Sequence, residues 1–140
     1  MSVAAILLPV FVQVGLTFVL LFWMRGVRFA ALKSGAVKAG DVALAQRAWP
    51  ARAQQVSNAY SNQFEIPVLF YAVVAFAMIT RKADLVFVVL EWLFVVSRIA
   101  HALVYGTSNN LRHRFMIFAL GAAILIAMWV YFALKTLLPL

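Results

Sequence analysis

The stretch YSNQFEIPVLFYAVVAF, residues 60–76, decides the fold, because it begins with amides and a carboxylate and continues without charge as far as Arg81. Its uncharged part, from Ile66 to Thr80, would reach only about 22 Å as a helix, which is less than the ~30 Å hydrocarbon core of a bilayer. A helix that crosses the membrane here must therefore carry Asn62 and Glu65 into it.

The composition of the whole chain is typical of a membrane protein. Of its 140 residues 66% are apolar and only 11% are charged, which is too few to cover the surface of a water-soluble domain of this size. Cysteine is absent, which excludes disulfides and thiolate metal sites. His101 and His113 have no third ligand at a regular spacing, so no metal site is predicted.

Four apolar runs are each close to the ~20 residues that span a bilayer. They are Val3 to Met24, about Tyr60 to Thr80, Leu85 to Tyr105, and Phe115 to about Leu134. They predict an all-α membrane protein, a single four-helix domain over residues 1–140 with helices at about 3–32, 50–80, 84–105 and 111–138. Pro67 should bend the second helix just above Glu65, because proline cannot donate to the carbonyl of Gln63.

The net charge of +8 comes mostly from short connections between the apolar runs, which favours lipid headgroups over a nucleic acid partner. Six basic residues lie in the first loop, residues 25–52, and Arg112 and Arg114 follow the third helix. On the other side stand Arg81, Lys82 and Lys135. The positive-inside rule predicts both termini outside and loops 1 and 3 in the cytoplasm. The first run is longer than the core of a signal peptide and is interpreted as a retained helix.

Polar residues recur on one face of each of two helices. The second helix carries Gln55, Asn58, Asn62 and Glu65, and the third carries Glu91, Arg98, His101 and Tyr105. Glu65 and Arg98 should pair, because they lie at matching depths of roughly 24 and 21 Å below the ends of their helices. A brace between two helices would explain that pair alone. The other polar residues favour a cavity that opens toward the cytoplasm.

Arg112 and Arg114 fall in the first turn of the fourth helix, where the helix dipole disfavours positive charge by a few tenths to ~1 kcal/mol. Anionic headgroups would offset this effect. An anionic ligand held by free backbone N–H groups and the two guanidiniums would do the same. The ligand is favoured, because both arginines lie at the same membrane face as Tyr105.

In this order, the residues resemble the MAPEG family, the membrane-associated proteins in eicosanoid and glutathione metabolism. The pattern reads Ala59-x-x-Asn62-x-x-Glu65-x-Pro67, then Arg98-x-x-His101-x-x-x-Tyr105, then Asn109, Arg114-Phe115 and Gly121. The resemblance covers nearly the whole chain. The chain looks like a bacterial member, so a bacterial inner membrane is its expected location.

The resemblance implies a homotrimer that binds glutathione between subunits at the cytoplasmic side. It implies that the peptide is held by Asn62, Glu65, Arg98, His101 and Tyr105. An arginine at the start of the fourth helix would stabilise the thiolate, and Arg114 fits that role best, with Arg112 as the fallback. The predicted activity is that of a glutathione transferase or peroxidase acting on a lipophilic electrophile or hydroperoxide from the bilayer.

Two positions depart from the pattern and favour a second hypothesis, a non-catalytic trimer that binds a lipid or a partner protein. Asn58 stands where glutathione-using members commonly have arginine, and Phe118 stands where prostaglandin synthases carry a second tyrosine. A third hypothesis, a small proton-coupled exporter, is disfavoured. Such exporters usually carry a glutamate on the first helix, where this chain has only Gln13 and Thr17 as polar groups.

Overall fold

A computed structural model describes residues 1–44 and 48–138, and this part of the chain is helical without any strand. The helices are α1 (Val3–Lys33), α2 (Ala39–Val42), α3 (Ala51–Ser61), α4 (Ile66–Ile79), α5 (Leu85–Gly106) and α6 (Leu111–Leu137). Within these described residues, four spans are long and apolar enough to cross a membrane: α1, α3 together with α4, α5, and α6. The predicted all-α, four-span fold is confirmed. Arg47, one of the basic residues of the first loop, lies outside the described residues.

The boundaries of α5 and α6 follow from side chains that cap them. Asp84 precedes α5, and its carboxylate accepts a hydrogen bond from the backbone N–H of Phe87 at 3.0 Å. Asn110 precedes α6 and accepts from the backbone N–H of His113 at 3.1 Å. Each cap satisfies a backbone donor that the first turn of a helix leaves free. α5 ends at Gly106, one residue beyond the end predicted from the sequence.

The second spanning segment is broken, which corrects the prediction of one bent helix over residues 50–80. α3 ends at Ser61, a 3-10 turn covers Asn62–Phe64, and Glu65 has a non-helical backbone (φ −92°, ψ −113°). Pro67 then lies in the first turn of α4, where its missing N–H is not needed. A proline removes one helical hydrogen bond, and the tighter turn before it completes the interruption.

α5 is the central helix and packs against α1, α3 and α6. Phe94 of α5 stacks on Phe70 of α4 with 4.8 Å between the ring centroids, and both side chains are fully buried. At the end of α5, a Cβ added to Gly106 would lie 2.5 Å from the indole ring of Trp23 in α1. The glycine therefore allows the close approach of α1 and α5.

The two ends of the bundle are named here by the residues found there. At the Asp84 end, the carboxylate of Asp84 accepts from the Tyr131 hydroxyl at 2.6 Å and pairs with Lys135 of α6. Burial alone would raise the pKa of Asp84, but hydrogen bonds from Lys135, Tyr131 and the backbone of Phe87 outweigh it and lower the pKa to about 2. The opposite end, where α5 ends and α6 begins, is the Arg114 end.

Large apolar side chains cover the outside of the bundle. Phe11, Phe18, Phe22 and Phe29 project from α1, and each is more than half exposed. An apolar surface of this extent is unfavourable in water and suits the acyl chains of a bilayer. Together with the four spans, it identifies an integral membrane protein.

Candidate functional site

A cavity of about 300 Å³ opens at the Arg114 end, between the break that separates α3 from α4, the last turns of α5 and the first turns of α6. This volume is at the lower end of the ~300 to 1,000 Å³ typical of small-molecule sites. The residues that line it are Asn62, Glu65, His101, Tyr105, Leu111, Arg114, Phe115 and Phe118. Five of the seven residues predicted to form the site are among them.

Arg98 lies behind the cavity and is 1% exposed. Its Nη2 donates to Oδ1 of Asn62, and Nδ2 of Asn62 donates to Oε2 of Glu65 at 2.8 Å. The prediction of direct pairing between Glu65 and Arg98 is therefore wrong, because the Asn62 amide stands between them. The 3-10 turn explains this arrangement, since it brings Asn62 and Glu65 side by side at the break.

Arg114 is held at the cavity wall from two sides. Its Nη1 donates to Oδ1 of Asn109 at 2.8 Å, and its guanidinium carbon lies 3.7 Å from the centre of the Tyr105 ring. Asn109 has a left-handed backbone (φ 50°), which asparagine tolerates better than most residues do. Nε of Arg114 is buried and has no hydrogen-bond partner within the described part of the chain. The guanidinium of Arg114 is thus held in place by Asn109 and Tyr105, while its Nε donor has no partner among the described residues.

Two residues expected on the polar face of the second helix lie elsewhere. Asn58 is exposed and accepts from Nε2 of Gln54 at 2.7 Å. Gln55 donates to the carbonyl of Tyr105 at 2.8 Å and so ties α3 to the end of α5. The helical geometry continues to Asn62, whose backbone N–H donates to the carbonyl of Asn58, so the three residues share one helix. Gln55 and Asn58 differ from Asn62 because their side chains bond to Tyr105 and Gln54 instead. Arg112 is also exposed and does not line the cavity, which leaves Arg114 as the arginine in the wall.

The other wall of the cavity is aromatic and apolar. His101 is buried, and its ring lies 5.7 Å from that of Tyr105 and 5.8 Å from that of Phe118. Phe115 and Leu111 complete this wall and are largely exposed. The cavity therefore combines charged and amide groups on one side with an apolar wall on the other. This arrangement suits a ligand with a polar part and an apolar part.

Sequence reasoning missed a buried amide pair between α1 and the 3-10 turn after α3. Nε2 of Gln13 in α1 donates to Oε1 of Gln63 at 2.9 Å, and both side chains are almost fully buried. The signal was available, because an amide in an otherwise apolar membrane helix needs a partner on another helix. Glu91 is also fully buried, and it does not line the cavity.

The described residues contain no group of three or more His, Asp or Glu side chains that could hold a metal ion. The sequence profile of the MAPEG family matches residues 6–134, which covers every residue of the cavity and confirms the resemblance. No curated protein and no solved structure matches the chain. The binding and catalytic roles of the cavity residues stay predictions.

Proposed function

The chain belongs to the MAPEG family, and from this premise we propose that it is a membrane-embedded, glutathione-dependent transferase or peroxidase that acts on lipophilic electrophiles or hydroperoxides. The observation that carries the proposal is the position of Arg114 in a cavity that also contains Asn62 and Glu65. The cavity thus brings together a fixed cation, an amide and a carboxylate. Glutathione carries groups that can bind to each of these, together with a thiol.

The polar side of the cavity would bind the peptide. Glutathione has an ammonium group and two carboxylates, so the Glu65 carboxylate would accept from the ammonium and Asn62 would bind a peptide group. Arg98 supports this side from behind, because its Nη2 donates to Oδ1 of Asn62. Its Nε and Nη1 have no partner among the described residues. His101 and Tyr105 would flank the peptide from α5.

Arg114 would stabilise the thiolate. A free thiol has a pKa of ~8.5, so a nearby fixed cation increases the fraction of the reactive anion at neutral pH. In a transferase reaction the sulfur bonds to the electrophilic carbon, and the leaving group departs with the electron pair of the broken bond. In a peroxidase reaction two thiols give one disulfide, while the hydroperoxide becomes an alcohol and water.

The apolar wall supports a lipophilic second substrate. Leu111, Phe115 and Phe118 line the cavity next to the lipid-facing surface of α6. A molecule dissolved in the bilayer would reach the thiolate along these side chains without crossing the polar groups of α3 and α5. No residue of this wall selects one shape, so the substrate class is defined by its lipophilicity and its electrophilic or peroxidic centre.

Calorimetric titration of the purified protein in detergent with glutathione tests the proposal. We expect saturable heat for glutathione and for the analogue in which a methyl group replaces the thiol, because the peptide groups bind in both. Thiolate absorbance should appear with glutathione and not with the methyl analogue, which has no thiol. If the titration with glutathione gave no heat of binding, the proposed glutathione-dependent activity would be disproved.

A second candidate function, a non-catalytic trimer that binds a lipid or a partner protein, is favoured by Asn58 and Phe118. Asn58 places no charge near the cavity, and Phe118 contributes a ring without a hydroxyl to its wall. In that case glutathione would give no heat. A lipid or protein would instead remain bound through purification and would be identified by mass spectrometry.

We also propose that the protein is a homotrimer of the bacterial inner membrane, with its termini outside and the Arg114 end in the cytoplasm. The basic residues at the Arg114 end support this orientation. Because the chain lacks cysteine, single cysteines at Ser2 and Ser108, both exposed, would report the side of the membrane through an impermeant maleimide. Native mass spectrometry would give the number of subunits. If the maleimide labelled Ser108→Cys in intact cells, the Arg114 end would lie outside, and the proposed orientation would be wrong.

A further inference from the structure

The loop between α5 and α6, residues 107–110, is fixed by hydrogen bonds from two directions. The backbone N–H of Asn109 donates to the carbonyl of Val104 at 2.7 Å, which satisfies one of the carbonyls that the end of α5 leaves free. From α3, Nε2 of Gln55 donates to the carbonyl of Thr107 at 3.1 Å. The loop is therefore a firm support for the side chains that it carries.

The backbone of this loop does not by itself require an asparagine at position 109. Asn109 has a φ of 50°, in the left-handed region, which glycine adopts without steric cost. A glycine lacks only the side-chain amide, and Oδ1 of this amide accepts the hydrogen bond from Nη1 of Arg114 at 2.8 Å. The amide therefore has a role of its own, which is its contact with the cation.

Asn109 gives the guanidinium of Arg114 a direction that Tyr105 does not give. A ring attracts a cation over its whole face, so a guanidinium in contact with it can still turn. A hydrogen bond is directional, and a guanidinium is planar and rigid, so fixing Nη1 also fixes the other nitrogens. One of these is Nε, which is buried and has no partner among the described residues. The amide of Asn109 thus orients the whole cation.

The acceptor that Asn109 offers to Arg114 carries no charge. A carboxylate in its place would bind the guanidinium more strongly, but it would also cancel the positive charge. It would then oppose the formation of an anion nearby, because like charges disfavour each other's charged forms. Among the described residues, no carboxylate forms an ion pair with Arg114. The cation is therefore held in place without being neutralised.

We propose that Asn109 is a positioning residue for the reaction, which holds the guanidinium of Arg114 where it stabilises the thiolate of glutathione and leaves its charge available. The inference rests on the proposed function and deepens it, because it names a group that acts on the sulfur only through Arg114. Asn109 does not line the cavity and so lies outside the groups that would bind the peptide. Its loss should change the thiolate and leave peptide binding intact.

The pH dependence of the thiolate absorbance of bound glutathione, measured on the full chain in detergent, tests the proposal. A nearby opposite charge shifts a pKa by roughly 1 to 3 units, and a cation that can turn away loses part of this effect. Asn109→Gly should therefore raise the midpoint by about 0.5 to 1 unit, which is roughly three- to tenfold less thiolate below the midpoint. Binding of the methyl analogue should not change. Asn109→Asp should raise the midpoint at least as much, because its carboxylate neutralises Arg114.

Asn110→Gly is the matched control, because it is the same substitution at the next residue of the loop. The side chain of Asn110 caps α6 through the backbone of His113 and makes no hydrogen bond to Arg114. The control should therefore leave the midpoint unchanged. If both glycine variants raised the midpoint equally, the effect would come from a loosened loop, and the proposal would be overturned. A midpoint for Asn109→Gly equal to that of the wild type would overturn it as well.

Nuclear magnetic resonance of the protein without glutathione separates this proposal from the proposed function. The Nε–H signal of Arg114, assigned by its loss in Arg114→Lys, reports how fast the guanidinium rotates. Rotation should be slow in the wild type and in Asn110→Gly, and fast in Asn109→Gly. Equal rotation in the wild type and Asn109→Gly would overturn the proposal even if glutathione binds. If the wild type bound no glutathione, the proposed function would fail and the role of Asn109 toward the thiolate with it, while slow rotation would still establish the contact with Arg114.

Discussion

The guanidinium of Arg114 stacks on the ring of Tyr105, with 3.7 Å between the guanidinium carbon and the ring centre. The contact joins the first turns of α6 to the last turn of α5. A cation–π contact contributes roughly 0.5 to 2 kcal/mol, depending on how far it is desolvated. Asn109 adds a hydrogen bond of 2.8 Å from the loop between the helices. The position of the cation in the cavity is therefore set by α5, α6 and the loop that connects them.

We expect Arg114→Ala to abolish the thiolate absorbance of bound glutathione while the peptide still binds. The reason is that the substitution removes the fixed cation and leaves Asn62 and Glu65 in place. Absorbance and calorimetric titration of the purified variant measure the two effects separately. Arg25→Ala is the matched control, because Arg25 is an exposed arginine outside the cavity.

Arg112→Ala decides between the two arginines at the start of α6. Arg112 is exposed and does not line the cavity, so its loss should leave the thiolate absorbance largely unchanged. If the absorbance instead disappeared with Arg112→Ala and persisted with Arg114→Ala, the assignment of the thiolate partner would have to be reversed.

Asn62→Leu should lower the free energy of unfolding by about 1 to 3 kcal/mol, the range expected when a buried hydrogen-bonding group loses its partner. The substitution keeps the approximate size of the side chain but leaves Nη2 of Arg98 without its acceptor and Glu65 without its donor. Glutathione affinity should fall as well. The free energy of unfolding is measured by titrating the protein, purified in a mild detergent, with a denaturing detergent.

Asn58→Leu is the matched control for Asn62→Leu. Asn58 is exposed and its one side-chain bond is to Gln54, so the change in stability should stay within about 0.5 kcal/mol. Equal losses for the two variants would mean that the hydrogen bonds between Arg98, Asn62 and Glu65 do not stabilise the bundle.

The sequence was sufficient for the four spans and for most helix ends, because hydropathy over ~20 residues and capping side chains are local signals. The helices predicted at about 84–105 and 111–138 are found at Leu85–Gly106 and Leu111–Leu137. The break at Glu65 was not predicted. Pro67 gave a local signal for a distortion, but whether the helix bends or stops depends on the 3-10 turn and on contacts with other helices, such as the bond of Gln63 to α1.

Contacts between helices, which local sequence does not show, also explain why some predicted site residues do not line the cavity. Helical spacing placed Gln55 and Asn58 on the face of Asn62, but spacing does not show which neighbour each side chain bonds, and these two bond to Tyr105 and Gln54. Depth placed Glu65 beside Arg98, but depth alone does not show which side chain comes between them. On the unbroken α5, His101 and Tyr105 line the cavity, whereas Arg98 and Glu91 of the same predicted face are buried away from it.

We expect Gly106→Ala to lower the free energy of unfolding by about 1 to 3 kcal/mol, the range for overpacking. The new Cβ would lie 2.5 Å from two carbons of the Trp23 ring, which also stacks under Arg52 with 5.1 Å between the guanidinium carbon and the ring centre. Thermal unfolding in detergent measures the loss. In the double variant with Trp23→Leu, the loss should be smaller than the sum of the two single losses.

Gly15→Ala is the control for the effect of adding a methyl group to a membrane helix. A Cβ at Gly15 would meet no atom within 4 Å, so the variant should be unchanged or more stable by about 0.5 to 1 kcal/mol. If Gly106→Ala were as stable as Gly15→Ala, α1 and α5 would not approach each other as closely as the structure has them.

Asp84→Asn should lower stability at neutral pH and have little effect below pH 2. The pKa of Asp84 is lowered to about 2 in the folded protein, against ~3.9 for an unperturbed aspartate, so its ionised form stabilises the fold above the unfolded value. That contribution is lost as the pH falls from about 4 through about 2. Asparagine still caps α5, so the difference reports the contacts with Lys135 and Tyr131. Because the pair is partly exposed, we expect at most about 1 kcal/mol.

Melting temperatures of wild type and Asp84→Asn between pH 7 and pH 2 measure this dependence, and the two curves should converge on acidification. Asp41→Asn, at an exposed residue of α2, provides the control for the same chemical change. A difference between wild type and Asp84→Asn that stayed constant over this range would mean that the charge of Asp84 does not stabilise the fold. The stabilisation by Asp84 would then come from its bond with the Tyr131 hydroxyl, and Tyr131→Phe should reproduce the whole loss.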